Sequence, residues 1–154
     1  MILGPGAAGK SVLASRLGDI TGLPVIELDK RFWRPGLAAT PPAQWADIQR
    51  ALVRPEKWIM DGDLGPYDVI GVRLQAADTI VFLDFPRWRC AWRAIRRSRE
   101  RADFWRWLWN YRRHSRPLIR QAIATHADRA GLHALTTPRA IERFVAQTGR
   151  NAPD

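Results

Sequence analysis

Apolar residues along this chain gather into short runs, and each of the first four stops at a glycine or an aspartate. Met1 to Leu3 form the first run and break at Gly4. Pro24 to Leu28 form the second and end at Asp29, and Trp58 to Met60 the third, ending at Asp61-Gly62. Thr79 to Leu83 form the fourth and end at Asp84. Consecutive apolar positions over so few residues predict strands buried on both faces. Leu132 to Leu135 predict a fifth.

The stretches between these runs carry a helical period instead. Ser11 to Gly18 carry Val12, Leu13 and Leu17 at helical spacing. Thr40 reads as an N-cap with Pro41 at the first helical position, followed by a stripe of Trp45, Ile48 and Leu52. A further helix is predicted over Tyr67 to Ala76. After Pro86 an arginine-rich helix carries Trp88, Trp92 and Ile95 at spacings of four and three. From near Asp103, Phe104, Leu108 and Tyr111 share a face until Pro117 kinks or ends the helix. Pro138 opens a last helix through Val145, and the tail from Gly149 is expected to fray.

Strands alternating with helices imply an α/β protein with a parallel sheet covered on both faces. Ligands in such sheets sit at the carboxyl ends of the strands. The glycine loop, Asp29, Asp61 and Asp84 therefore converge on one edge. The 154 residues suit one domain over 1–148, with a helical insert at about 30–56, a lid at about 87–117 and a tail at 149–154. The first strand of such a sheet is central, yet only three residues precede Gly4, so a few native residues are expected upstream of Met1.

The first loop is the most specific signal. Gly4-Pro5-Gly6-Ala7-Ala8-Gly9-Lys10-Ser11 fits G-x-x-x-x-G-K-[ST] in full, between a strand and a helix. Its glycines let successive N–H groups turn toward phosphate oxygens, and the following helix adds its positive end. The reading predicts a nucleoside triphosphate site, ATP with magnesium, over Gly4 to Ser11 and the adjoining Val12. Lys10 would meet the β- and γ-phosphates and the Ser11 hydroxyl the metal. Magnesium takes hard oxygen ligands, and Asp61 is the carboxylate best placed to help hold it. Asp29 is a candidate to steady the metal's own ligands or to serve as base for an acceptor hydroxyl, and Asp84 a third candidate, against the plain role of capping a loop.

Charge changes the picture next. Lys and Arg number 25 against 15 Asp and Glu, giving +10 and a pI near 11.2, which calls for an anionic partner without choosing one. Arg93, Arg96, Arg97, Arg99 and Arg101 follow Asp84, with Arg112, Arg113 and Arg116 one helix later, as two arms of a lid over a triphosphate. Arg93 and Arg97, four apart, share a helix face. Arg31, Arg34 and Arg73 are anion contacts or surface groups. The run from Phe104 to Tyr111 reads chiefly as core or lid packing, with base stacking as the alternative. His114, His126 and His133 lack zinc-ligand spacing. Cys90, the single cysteine, reads as structural and fits a reducing cytoplasm. No apolar run approaches the ~18 residues of a membrane span.

These motifs together resemble the small bacterial P-loop kinases known as DNA topology modulation proteins, which are similar to adenylate kinases. The resemblance rests on Gly4 to Ser11, Glu27-Leu28-Asp29-Lys30 with Phe32-Trp33 and Pro35-Gly36, and Trp58-Ile59-Met60-Asp61-Gly62. It continues through Ala77 to Arg87, Trp107 to Arg113 and Arg116-Pro117. It implies a three-layer P-loop NTPase fold of the nucleoside monophosphate kinase kind, with a five-stranded parallel sheet and a short lid. It further implies Asp61-Gly62 at the magnesium site, Arg93 and Arg97 on the donor nucleotide, and Thr136-Thr137-Pro138 near the adenine. Adenylate kinases follow the aspartate-glycine pair with Phe-Pro-Arg, whereas Asp63-Leu64-Gly65 follows here, and the segment from Arg97 to Phe104 is very short. The expected activity is ATP-dependent phosphoryl transfer to a small molecule or nucleotide. Nucleotide-dependent regulation through DNA, or an ATPase switch, are the alternatives.

Overall fold

A computed structural model describes residues 1–64, 68–97 and 102–151. In chain order the elements are β1 (Ile2–Leu3), α1 (Lys10–Thr21), β2 (Val25–Glu27), α2 (Asp29–Phe32), β3 (Trp33–Arg34) and β4 (Ala38–Ala39). Then come α3 (Pro42–Leu52), β5 (Ile59–Asp61), α4 (Gly71–Ala76), β6 (Thr79–Leu83) and α5 (Arg87–Arg97). The chain finishes with α6 (Ala102–Tyr111), α7 (Ser115–His126), β7 (Gly131–Leu135) and α8 (Pro138–Asn151).

The five predicted strands form one parallel sheet in the order β2-β5-β1-β6-β7. Side chains alternate across a strand, so each apolar run feeds two cores. Ile80 and Phe82 of β6 join Leu3 and Met60 on one face, under Trp45, Leu74, Ile119 and Ile123 of α3, α4 and α7. Val81 and Leu83 join Ile2 and Ile59 on the other, under Leu13, Ala14, Leu17, Cys90 and Val145 of α1, α5 and α8. Helix, sheet and helix make three layers, and the expectation of a doubly covered parallel sheet holds.

Register fixes the working edge. Ile2 pairs with Asp61 on one side and Val81 on the other, and Glu27 pairs with Asp61. The chain leaves β1 at Gly4 beside Leu83, and Asp61 is the last residue of β5 rather than the first after it.

Several local features differ from the sequence reading. A one-turn helix and a hairpin of two-residue strands fill 29–39, pieces too short for periodicity to reveal. Thr40 does not cap α3; its hydroxyl donates to the Phe32 carbonyl. Pro41 holds the extended conformation that a residue before proline favours, and Pro42 starts the helix. Helix α4 begins only at Gly71; Tyr67, where it was expected to start, lies outside the described residues. Helix α8 runs through Gly149, which lies against Ile20 of α1.

Candidate functional site

The loop after β1 is shaped by backbone conformations that side chains resist. Gly4 has φ 144°, and a Cβ there would stand 2.6 Å from the Leu83 carbonyl oxygen, a backbone atom with nowhere to go. Ala7 (φ 57°) and Gly9 (φ 97°) also lie in the left-handed region. Gly9 is the N-cap of α1, and no side chain caps that first turn, so the positive end of the helix faces the loop. Lys10 folds back across it, donating to the carbonyls of Gly4 at 2.8 Å and Pro5 at 3.1 Å. Ser11 and Val12 are exposed on the same turn. Every residue of the predicted phosphate loop thus lies on one curl.

Asp61 meets this curl from below. It is 5% exposed, and its Oδ1 is buried with no hydrogen-bond partner. Burial raises its pKa above the usual carboxylate value, while hydrogen bonding to Ser11 and the charge of Lys10 pull the other way. A buried, unpartnered carboxylate oxygen beside a hydroxyl is the donor chemistry that suits a small hard cation such as magnesium. Phosphates and water complete the shell of such a cation.

Asp29 opens α2 and reaches solvent, yet protein on its inner side raises its pKa. Lys10 opposes that rise, and Asp61, Asp68 and Glu27 add to it. Lys10 therefore acts on both candidate carboxylates, which the structure brings together. Asp84 is drawn away. Arg116 clamps it from α7, with Nη2 2.6 Å from Oδ2 and Nε 2.9 Å from Oδ1, and Arg112 stands 3.9 Å off. The hydrogen bond to Asp84 raises the Arg116 pKa further.

The arginines divide sharply. Arg93 Nη1 donates to the Ala8 carbonyl at 3.1 Å, and a Cβ on Gly9 would stand 2.8 Å from its Nη2. Helix α5 comes that close because its inward face is Cys90 and Ala94, both small and buried. Trp88, Trp92 and Ile95, the stripe read from the sequence, face solvent instead, with Trp88 70% exposed. The period was legible but not which face packs. The side chain of Arg97 lies outside the described residues, as do Arg99 and Arg101.

Arg73 corrects the sequence reading most clearly. It is neither an anion contact nor a surface group, being 0% exposed. It donates to Gln49 Oε1 at 2.7 Å and the Gly62 carbonyl at 3.1 Å, and pairs with Asp68. Asp68 also accepts from Trp45 Nε1 at 3.3 Å and Gln49 Nε2 at 3.2 Å. This buried network holds the turn after Asp61. Its one visible trace in sequence is Trp45 and Gln49 four apart on α3.

Three smaller placements follow. Tyr111, from α6, donates to Asp63 Oδ2 at 3.3 Å, and burial and Asp63 raise its pKa strongly. Thr137 accepts from Ala140 N at 3.2 Å and so caps α8. Cys90 is buried and its thiol pKa raised by burial, as suits a packing residue.

Comparison with known proteins adds a fold-level result. No family model matches the chain, and no curated protein matches it. Among solved structures it is similar to a crystal structure of a sugar kinase from Janibacter sp., determined without ligand. The two are 21% identical, with a TM-score of 0.52 over 99% of this chain and 96% of that one. At that identity the likeness concerns architecture. The molecule shares with it an α/β architecture, a five-stranded parallel sheet between layers of helices.

Proposed function

We propose that this protein is an ATP- and magnesium-dependent phosphotransferase, adenylate kinase-like in plan, acting on a small-molecule hydroxyl. The observation that carries the reading is the loop itself. Left-handed residues curl it over the open end of α1, and Lys10 and Arg93 both bond its carbonyls. A triphosphate in that curl would take hydrogen bonds from the loop N–H groups and from Lys10 once it leaves Gly4 and Pro5. Ser11 and Asp61 would hold magnesium, which neutralises charge on the transferring group when bound. Arg93, with Arg97 one turn on, would add positive charge on the lid side.

In the step itself, the acceptor oxygen attacks the γ-phosphorus and the bond to the bridging oxygen breaks, releasing ADP. The hydroxyl proton passes to Asp29, whose raised pKa favours accepting it, and then to solvent. The sugar kinase neighbour supports phosphoryl transfer at such a site, with a sugar-like acceptor as one substrate class. The test is ATP turnover with magnesium across candidate acceptors, with Lys10→Ala as control. Acceptor-dependent ADP release should fall at least about 100-fold in the variant. Hydrolysis indifferent to every acceptor would argue for an ATPase switch.

A second reading, a nucleotide-binding regulator that contacts DNA, has its own support. The net charge is +10, Arg87 lies over the exposed Trp109 ring at 5.5 Å, and Arg96 over exposed Trp92 at 5.7 Å. Such pairs suit bases and phosphates. This reading agrees with the resemblance to topology modulation proteins, and it requires affinity for DNA that falls steeply with salt and needs no nucleotide.

A further inference from the structure

We infer that Arg73 is a positioning residue for Asp61: from a buried network between α3 and α4 it grips the Gly62 carbonyl, and so sets the carboxylate that would hold magnesium. This rests on the phosphotransferase reading and adds to it a residue far from metal and nucleotide in sequence. Three hydrogen bonds hold the backbone around the Asp61 side chain. The Asp61 carbonyl accepts from Leu28 N at 2.9 Å, and Gly62 N donates to the Ile2 carbonyl at 3.4 Å. Both are main-chain bonds that the sheet itself supplies. The third is made by a side chain, Arg73 Nη1, which donates to the Gly62 carbonyl at 3.1 Å from eleven residues on. Gly62 has φ 138°, and a Cβ there would stand 3.0 Å from Leu28 Cβ. Glycine suits so tight a turn, but its backbone has a wide choice of conformations, and an outside donor on its carbonyl selects one.

Stability alone is a weak reason for this network. Arg73 and Asp68 are 0% and 3% exposed, and the desolvation of such a pair largely offsets its attraction. Its geometry, by contrast, is specific. Nη2 pairs with Asp68 and Nε donates to Gln49 Oε1 at 2.7 Å, which leaves Nη1 aimed at Gly62. Asp68 is itself fixed by Trp45 Nε1 and Gln49 Nε2 of α3, and accepts from Leu64 N at 3.4 Å, three residues past Asp61. A planar guanidinium holds donors in fixed directions to three partners at once, which a lysine ammonium on its flexible stem does not. Asp61 is the group that such a clamp would serve. It is 5% exposed, with Oδ1 lacking a partner, so the backbone beneath it largely decides where that oxygen points. Removing an outer partner that orients a metal ligand typically costs about 10–100-fold in metal affinity.

The test separates position from stability. Arg73→Met alone would leave the Asp68 carboxylate buried without its cation, so it is combined with Asp68→Asn, whose Oδ1 can still accept from Trp45 and Gln49. Arg73→Lys, which keeps the charge but not the fork, is measured in parallel. ATP binding is titrated by calorimetry with magnesium and with EDTA, thermal melts report folding, and ADP release is followed against magnesium concentration. The double variant should melt close to wild type and bind ATP in EDTA as wild type does. Its magnesium-dependent gain in ATP affinity should fall about tenfold or more, with half-saturating magnesium for ADP release rising to match. Arg73→Lys should shift in the same direction. An intact magnesium response in either folded variant would overturn the inference, as would an equal loss of ATP affinity with and without the metal. Collapse of both variants would assign Arg73 to the fold and overturn it equally. Wild type that neither binds ATP more tightly nor turns it over faster with magnesium would instead overturn the phosphotransferase reading, and the inference with it.

Discussion

Asp61 carries opposing demands. Its Oδ1 is buried without a partner, and burial raises its pKa above the ordinary carboxylate value of 3.8. An acid so shifted binds more protons folded than unfolded between that value and its folded pKa. Stability contributed by Asp61 therefore falls as pH rises through the window, and the ionised form weakens the fold above it. Asp61→Asn, without metal or nucleotide, should raise stability at neutral pH by about 1 kcal/mol, and the gain should vanish below the window. Thermal melts of both proteins across pH check this, and the same variant should lose magnesium-dependent turnover. Gly4 makes the contrary case. Its φ of 144° and the 2.6 Å approach to a backbone oxygen leave no room for a methyl group. Gly4→Ala should cost about 3 kcal/mol or more in denaturant unfolding. The glycine was legible in the motif; its clash partner, Leu83 on the neighbouring strand, was not.

At the scale of elements, the clamp between Arg116 and Asp84 ties the start of α7 to the end of β6. Both side chains are largely withdrawn from water, 28% and 13% exposed, so the pair is worth more than an open surface contact. A double-mutant cycle with Arg116→Met and Asp84→Asn should show a coupling of about 1–2 kcal/mol in stability. Additive losses would mean that the two groups act independently. The strands themselves were legible, since runs such as Ile80 to Leu83 have both faces covered and hold no polar residue. The phase of α5 was not, because the small Cys90 and Ala94 pack inward while three large apolar residues face solvent. Helical spacing reports that such a face exists, and the neighbour it meets decides which one is buried. Likewise, Arg73 looked like one more cation in a basic chain. Only the convergence of α3, α4 and the turn after β5 encloses it with Asp68 and Gln49.

For the whole molecule, the two functional readings place binding energy in different parts of the fold. A triphosphate in the loop would bridge β1, α1 and Arg93 of α5, contacts made only when the sheet and both helices are assembled. Ligand that binds only the folded state stabilises it by mass action, about 2.7 kcal/mol at 100 times its Kd. For a domain of this size that corresponds to a Tm rise of about 5–10 °C. Much of the binding would come from backbone N–H groups and a withdrawn lysine, so most of the rise should survive added salt. DNA drawn by the +10 charge and the exposed tryptophans should behave in the opposite way, its effect fading steeply with ionic strength through counterion release. Thermal melts with ATP and magnesium, and separately with a single-stranded oligonucleotide, at low and moderate salt, separate these cases. A salt-resistant rise with ATP that Lys10→Ala abolishes is the expected result. A rise seen only with the oligonucleotide, and only at low salt, would move the function from the loop to the arginine–tryptophan surface of α5 and α6.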